Sequence, residues 1–483
     1  MEMDPILYWN AVALEANRVS HDHTRPREER EQNGPTLSSR ALAIVHLAMY
    51  EAFARVSGGL PLYFPQPDLP APGANASPDA AVAAAAHATL SSLFPSQKAF
   101  FDSRHAQASL SGATLKEGHE FGLKVAAKML DERKGDPGAG DDGYAASMAY
   151  GAHRPDPDNA QGYHAPFYGA RSRCFAVTAR HDLLKPPLPG DAAYTKALQQ
   201  VRGKGIAPEL MGTLPQAGAR RSASESVIGV YWGYDGASGL GTPPRLYNQI
   251  LRRIARDKDN TPSENARLFA LANVAMGDAG ILAWEQKYIH DLWRPVVGIR
   301  EHDGSMGPAG AGAGAFSADC DPYWLPLGAP NTNVTGAKNG TPPFPAYPSG
   351  HATFGAAVFH ITRLFYGPAG VNKGGVSAGD TGPDNLFDGL TFVSDELNGV
   401  NKDNKGTVRP RHVREFEDGL WQMILENGRS RVYLGVHWIF DAFMEKNNGD
   451  PDLNQNIGGV PLGLKIAEDI FATGMKRSSV GPS

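Results

Sequence analysis

Residues 262–293 (PSENARLFALANVAMGDAGILAWEQKYIHDLW) form the longest helical pattern in the chain, stopped by Arg294-Pro295. Shorter helical stretches flank it. Residues 36–55 place Leu42, Val45, Met49 and Phe53 near helical spacing, with Ser38 or Ser39 as candidate caps. Further helices are predicted over 79–94, 96–111, 115–133, 191–203, 222–233 and 243–257, then from Ser349 to about Tyr366, and over 410–445 and 454–475. Residues 134–190, 301–348 and 368–408 are rich in Gly, Asp and Pro and read as long irregular connections. Alternating β patterns are scarce and no internal repeat is visible. The chain is therefore expected to be mostly α, with its long loops concentrated in the second half.

At 483 residues the chain is long enough for two large domains or about three ordinary ones. Its net charge of −5 gives no footprint for nucleic acid, so any cationic site must be local. Two cysteines, Cys174 and Cys320, exclude a disulfide scaffold and a Cys-rich zinc or iron–sulfur site, while a single disulfide stays open. No run approaches the ~18 consecutive apolar residues of a membrane span. The Ala-rich stretch 80–88 is too short and is interrupted by His87. The start, Met1-Glu2-Met3-Asp4-Pro5, lacks the cationic region of a secretory signal. The expectation is a soluble protein, cytoplasmic or exported by a non-standard route.

Three stretches concentrate unusual side chains. In Lys287-YIHDLW-Arg294-Pro295 the two cations are seven apart, near two helical turns, with Trp284 one turn before Lys287. The bland alternative is a solvated basic edge. Pro348-Ser349-Gly350-His351 opens an apolar helical run, so free N–H groups and the positive end of the helix dipole favour an anion. Gly350 permits close backbone approach, Ser349 adds a hydroxyl and His351 a candidate acid–base; the alternative is a plain N-cap. In Ser430-Arg431-VYLGV-His437 a six-residue spacing keeps Arg431 and His437 off one ideal helix face, so they converge from different angles or the helix is distorted near Gly435. Here the alternative is a core histidine beside Trp438 and Phe440.

Together these stretches supply three fixed cations (Lys287, Arg294, Arg431), a hydroxyl, a helix-start N–H and two histidines. Such a set suits a tetrahedral oxyanion of two or more charges, Arg giving planar donor forks and Lys a point charge. One histidine can bond the central atom while the other exchanges protons.

The same residues resemble the signature of the superfamily that joins vanadium-dependent haloperoxidases to type-2 phosphatidic acid phosphatases. TPPFPAYPSGHATFG (341–355), YWGYDG (231–236), GTPPRLYNQI (241–250), RLFALANVAMGDAGILAW (267–284), ELNGVN (396–401) and LGVHWIFDA (434–442) resemble vanadium chloroperoxidases of the fungal type, as do YWN (8–10) and LEANRVSH (14–21). The resemblance is dense over 220–445, thinner over 1–60 and weak over 60–220. It implies an all-α fold of two packed four-helix bundles with long loops, the first region spanning 1–215 and the second, 216–483, carrying a vanadate site.

It further implies that His437 bonds vanadium, that Lys287, Arg294, Ser349, Gly350 and Arg431 hold the vanadate oxygens, and that His351 is the acid–base near the apical oxygen. Asp235 would pair with the active-site arginine, while Trp284 and Phe344 would line the halide side. The cofactor would be vanadate, with no heme and no flavin. The partners would be hydrogen peroxide, halide ions and an organic molecule to be halogenated. Halide would be oxidised to hypohalous acid through a side-on peroxovanadate polarised by Lys287. Phe344, five residues before Ser349, stands where related bromoperoxidases tend to carry histidine, which points to chloride as a substrate besides bromide. The 78 residues between His351 and Ser430 exceed what compact phosphatases carry.

Two rival readings use the same cradle. A phosphatase would make His437 a nucleophile forming a phosphohistidine, with His351 protonating the leaving group. A noncatalytic oxyanion-binding protein would not need His351 placed as an acid–base. Oligomeric state, and free hypohalite against halogenation directed at one substrate, are not readable from the residues.

Overall fold

A computed structural model describes residues 4–214, 219–308, 310 and 317–483. In chain order its helices are α1 (Pro5–Ser20), α2 (Gly34–Ser57), α3 (Pro78–Leu93), α4 (Lys98–Gln107), α5 (Leu115–Glu132), α6 (Tyr168–Arg171), α7 (Ala192–Lys204), α8 (Ala223–Tyr231), α9 (Pro243–Asp257), α10 (Pro262–His290), α11 (Pro295–Arg300), α12 (Gly350–Phe365), α13 (Gly419–Tyr433) and α14 (Gly459–Thr473). Two short antiparallel pairs, Leu390–Phe392 with Arg414–Phe416 and Met444–Glu445 with Pro451–Asp452, pin loops in the second half. The protein is mostly helical.

Helix α10 organises the packing. Thr261 and Glu264 close a capping box at its start and Pro262 occupies the first turn, which fixes the N-terminus. From Leu268 to Lys287 every residue is buried. One flank packs against α2, which with α3 and α5 forms the first group of helices. The other flank packs against α12, which is held in turn by α13 and α14. This is the one helix among the described residues long and apolar enough to cross a membrane, and it is enclosed by the rest of the protein.

A polar ladder threads the apolar core. Asn10 of α1 donates to Asn248 Oδ1 of α9 at 3.0 Å and lies 2.9 Å from His46 Nε2 of α2. Asn248 in turn donates to Asn273 Oδ1 of α10 at 2.8 Å. Satisfied buried amides of this kind set register between helices where apolar contacts alone would not.

Close approach positions α12. A Cβ at Gly459 would lie 2.5 Å from Ser349 O, and one at Gly463 2.5 Å from Thr353 O. The two glycines, one turn apart, let α14 lie directly on the first turns of α12.

Several expectations need correction. The amino-terminal helix Pro5–Ser20 is not among the helical stretches expected from the sequence, although Asp4 caps it by accepting from Leu7 N at 2.9 Å. Helix α2 starts at Gly34 behind Asn33, so Ser38 and Ser39 lie inside it and neither caps it. The helix expected over 410–445 is confined to Gly419–Tyr433 because 414–416 is strand and Gly435 takes φ +73°, a left-handed conformation that ends helical continuation. The helix expected to 293 ends at His290, with Asp291 left-handed at φ 46°. Lys287 and Arg294 therefore do not share one helix face: Arg294 is the N-cap of the next helix. Cys174 and Cys320 are both free and buried.

Candidate active site

The three stretches meet. Lys287 comes from the last turn of α10, Arg294 from the turn before α11, Ser349 to His351 from the start of α12, Arg431 from the last turn of α13, and His437 from the loop after it. Lys287, Arg294, Ser349 and Arg431 are fully buried, and His437 is nearly so. With Asp235, Trp284, Phe344, Gly350 and His351, Arg431 and His437 line a cavity of about 260 Å³.

His437 is held at both ring nitrogens. Nδ1 lies 2.7 Å from Asp441 Oδ2, and Nε2 lies 2.8 Å from Arg294 Nη1. A carboxylate and a guanidinium leave one consistent arrangement: Nδ1 carries the proton and Nε2 offers its lone pair. Burial, together with Arg294 and Lys287, holds the imidazole well below its usual range, so the ring is neutral. Asp441 Oδ2 also accepts from Trp438 N at 3.0 Å, and the Asp441 carbonyl accepts from Ser349 N at 2.8 Å. One residue thus ties the His437 loop to the start of α12. Asp441 is the functional residue that the sequence reading did not single out. Its signal was a carboxylate four positions after the histidine. Burial pushes its carboxyl up to about 7, against the pull of Lys287 and Arg294.

The cations are anchored differently. Arg294 Nε donates to Phe344 O and Nη1 to Val436 O, each at 2.8 Å, while no described group bonds the buried Nη2. Arg431 Nη2 donates to Asp235 Oδ1 at 2.6 Å, and its buried Nε and Nη1 likewise have no partner among the described residues. Lys287 Nζ donates to the carbonyls of Pro345 (3.0 Å), Ala346 (3.1 Å) and Pro348. Its protons are thus engaged by the backbone that leads into Ser349, and it reaches a bound anion only by releasing a carbonyl. Burial and then Arg294 push the Lys287 ammonium well below its usual range, and burial lowers Arg294 to about 9.

Three cations against Asp235 and Asp441 leave one net positive charge in a buried site. Such a site is unfavourable unless an anion enters. The free donors Arg294 Nη2 and Arg431 Nε and Nη1 are the groups that an oxyanion would satisfy, which fits the donor set expected for vanadate.

At the helix start, Ser349 Oγ accepts from Ala352 N at 3.4 Å, a long N-cap bond. Gly350 lies against Trp284, where a Cβ would be 3.1 Å from the indole. His351 Nε2 lies 2.7 Å from Gly233 O and 3.9 Å from Asp235 Oδ1. Burial and Arg431 lower His351 to about 4, with Asp235 opposing. Across the cavity Trp284 and Phe344 stand 4.8 Å apart between ring centres, tilted by 52°. Lys287 Nζ lies 5.1 Å from the Phe344 ring centre and the Arg294 guanidinium 4.9 Å from it, so this aromatic wall also borders the cations.

Residues 2–161 match the family model described as the vanadium chloroperoxidase N-terminal domain, and 267–450 match its second helical-bundle domain. A vanadium chloroperoxidase of Curvularia inaequalis is 36% identical over an alignment covering 98% of this chain and 90% of that protein. Among solved structures, a bacterial vanadium-dependent iodoperoxidase superposes with TM-score 0.60 at 18% identity, covering 96% of this chain and 94% of the other. A holo-type bacterial vanadium-dependent chloroperoxidase gives TM-score 0.60 at 15% identity, covering 92% and 93%. At these identities the two structures speak for the fold.

Proposed function

The chain belongs to the vanadium chloroperoxidase family, and from that premise we propose that it oxidises halide ions, chloride as well as bromide, with hydrogen peroxide to hypohalous acid. The observation that carries the reading is the set of donors on Arg294 and Arg431 left without partners in a buried, net-positive site beside a neutral histidine lone pair.

In this reading His437 Nε2 would bond the metal once Arg294 Nη1 releases it, and Arg294, Arg431, Ser349 and Gly350 would hold its oxygens, with Lys287 joining them when it releases a carbonyl. Vanadate, when bound, supplies Lewis-acid activation of peroxide without changing oxidation state. The remaining work falls to the chain. His351, neutral above about pH 4, would accept the proton that incoming peroxide gives up and hold it for return. Asp235 orients Arg431 through the 2.6 Å bond. Asp441 keeps the His437 proton on Nδ1. Trp284 and Phe344 give the halide an apolar face against which to shed water. The fixed donors need no reorganisation as charge moves, which is where such sites gain most of their rate.

The division of the chain into 1–215 and 216–483 belongs to the same proposal, since every residue of the anion cradle comes from the second segment. The deciding assay uses purified protein with vanadate, peroxide and halide. Stripping the metal should abolish halogenation, vanadate should restore it and phosphate should compete. Phosphate-ester hydrolysis without halogenation would assign the site to a phosphatase instead, and anion binding without turnover to a binding protein.

A further inference from the structure

A third ring completes the aromatic wall. His164 comes from the long connection between α5 and α6. Its ring centre lies 6.1 Å from Trp284 and 6.0 Å from Phe344, and it lines the same cavity as His351, Arg431 and His437. Its main chain is tied to that wall: His164 N donates to Pro343 O at 2.8 Å, and Tyr288 Oη donates to His164 O at 2.7 Å. Its side chain is fixed as well. Nε2 lies 3.1 Å from Thr36 Oγ1. The ring rests on Gly34, where a Cβ would be 2.6 Å from His164 Cε1, so position 34 has no room for a side chain while the ring stays there.

We propose that His164 is a halide-contacting residue that sets halide affinity, its Nδ1–H donating to the anion held against Trp284 and Phe344. The proposal rests on the haloperoxidase reading. We assign the Thr36 hydroxyl as the donor to Nε2, which puts the proton of the neutral ring on Nδ1, an atom to which no described residue hydrogen-bonds. Burial keeps the ring neutral down to about pH 4. A second donor lies beside it: the Trp284 indole is buried, and no described group bonds its Nε1–H. A purely apolar wall strips water from a halide without replacing any of it, which is costly for an ion. Two N–H donors set among rings replace part of the hydration shell, and they matter most for the most strongly hydrated halide.

The test compares His164→Phe, which keeps the ring and removes the donor, with His164→Gln, which restores a donor. Steady-state kinetics on vanadate-loaded protein should show His164→Phe raising the chloride KM roughly ten- to a hundredfold, the loss expected for one hydrogen bond to an ion. kcat should change little, iodide should be affected less, and His164→Gln should recover much of the loss. Chloride NMR line broadening provides a readout independent of turnover, and it should weaken in His164→Phe and return in His164→Gln. Unchanged chloride KM and unchanged broadening in His164→Phe would overturn the proposal. A wild-type protein that binds vanadate and broadens the chloride line but oxidises no halide would instead overturn the haloperoxidase reading and leave the His164 contact standing.

Discussion

His437 Nδ1 lies 2.7 Å from Asp441 Oδ2, while the backbone carbonyl of Asp441 holds Ser349 N at 2.8 Å. The residue that fixes the histidine's proton also sets where the anion-facing helix begins. Asp441→Ala should therefore weaken vanadate binding about 10- to 100-fold, the usual loss when the partner of a ligating histidine is removed. His437→Ala should lose tight binding altogether with the fold retained. Calorimetric titration with vanadate and circular dichroism measure both, and wild-type affinity in Asp441→Ala would show that the carboxylate does not set the tautomer.

Asp235 compensates Arg431 in a buried setting. Asp235→Ala leaves that guanidinium without a carboxylate, and breaking such a pair costs about 3–5 kcal/mol. The variant should melt earlier than wild type, and saturating vanadate should recover part of the difference because ligand binding stabilises the native state by mass action. Equal melting temperatures would mean that water solvates Arg431 adequately.

His351→Ala should still bind vanadate yet turn over roughly 10²–10⁴-fold more slowly. In the wild type the acid limb of the rate profile should fall as pH drops through about 4, because protonated His351 cannot accept a proton. An unchanged profile in His351→Ala would remove the residue from proton transfer.

Stability should decline on mild acidification. His21, His46, His164 and His351 are lowered to about 4 by burial, and His153 and His437 lie well below the ordinary 6.5. Between those values the unfolded chain binds protons that the native chain refuses. Each group therefore removes up to ~1.4 kcal/mol per pH unit as pH falls from 6.5 towards 4. Asp278 and Asp291, raised to about 6 by burial, and Asp441, raised to about 7, act in the opposite sense. Six histidines outweigh three carboxylates, so melting temperature should drop between pH 6.5 and 5. A flat profile would contradict the neutral, buried state of these rings.

If chloride is turned over as proposed, the ring at 344 should tune the choice of halide. Phe344→His should reduce chlorination of a β-diketone more than bromination at mildly acid pH. Equal losses for both halides would make the ring a packing element only.

Most of this site was legible because its chemistry is written in short, charged stretches that interrupt an apolar chain. The limits came from backbone direction. The seven-position spacing of Lys287 and Arg294 reads as two helical turns, yet the residue before a proline is disfavoured in helix, and the chain turns at Asp291 before Arg294. The distortion expected near Gly435 is a helix end, which carries His437 into a loop and allows it to meet Arg294. Asp441 escaped notice because an acid in IFDA reads as a turn residue until its carboxylate is seen on His437. His164 lies in an irregular connection with no periodicity, so only the tertiary structure brings it to Trp284.

The double packing of α10 bears on how the chain could be divided. The last turn of the helix carries Lys287, yet its first flank is covered by α2 from the opposite half of the sequence. Expressed alone, residues 216–483 would carry an uncovered apolar flank on their central helix and should aggregate. The same segment co-produced with 1–215 should assemble into a soluble pair, because the missing cover is then supplied in trans. On that outcome the segments that bear separate family matches would be complementary fragments of one folding unit rather than portable modules.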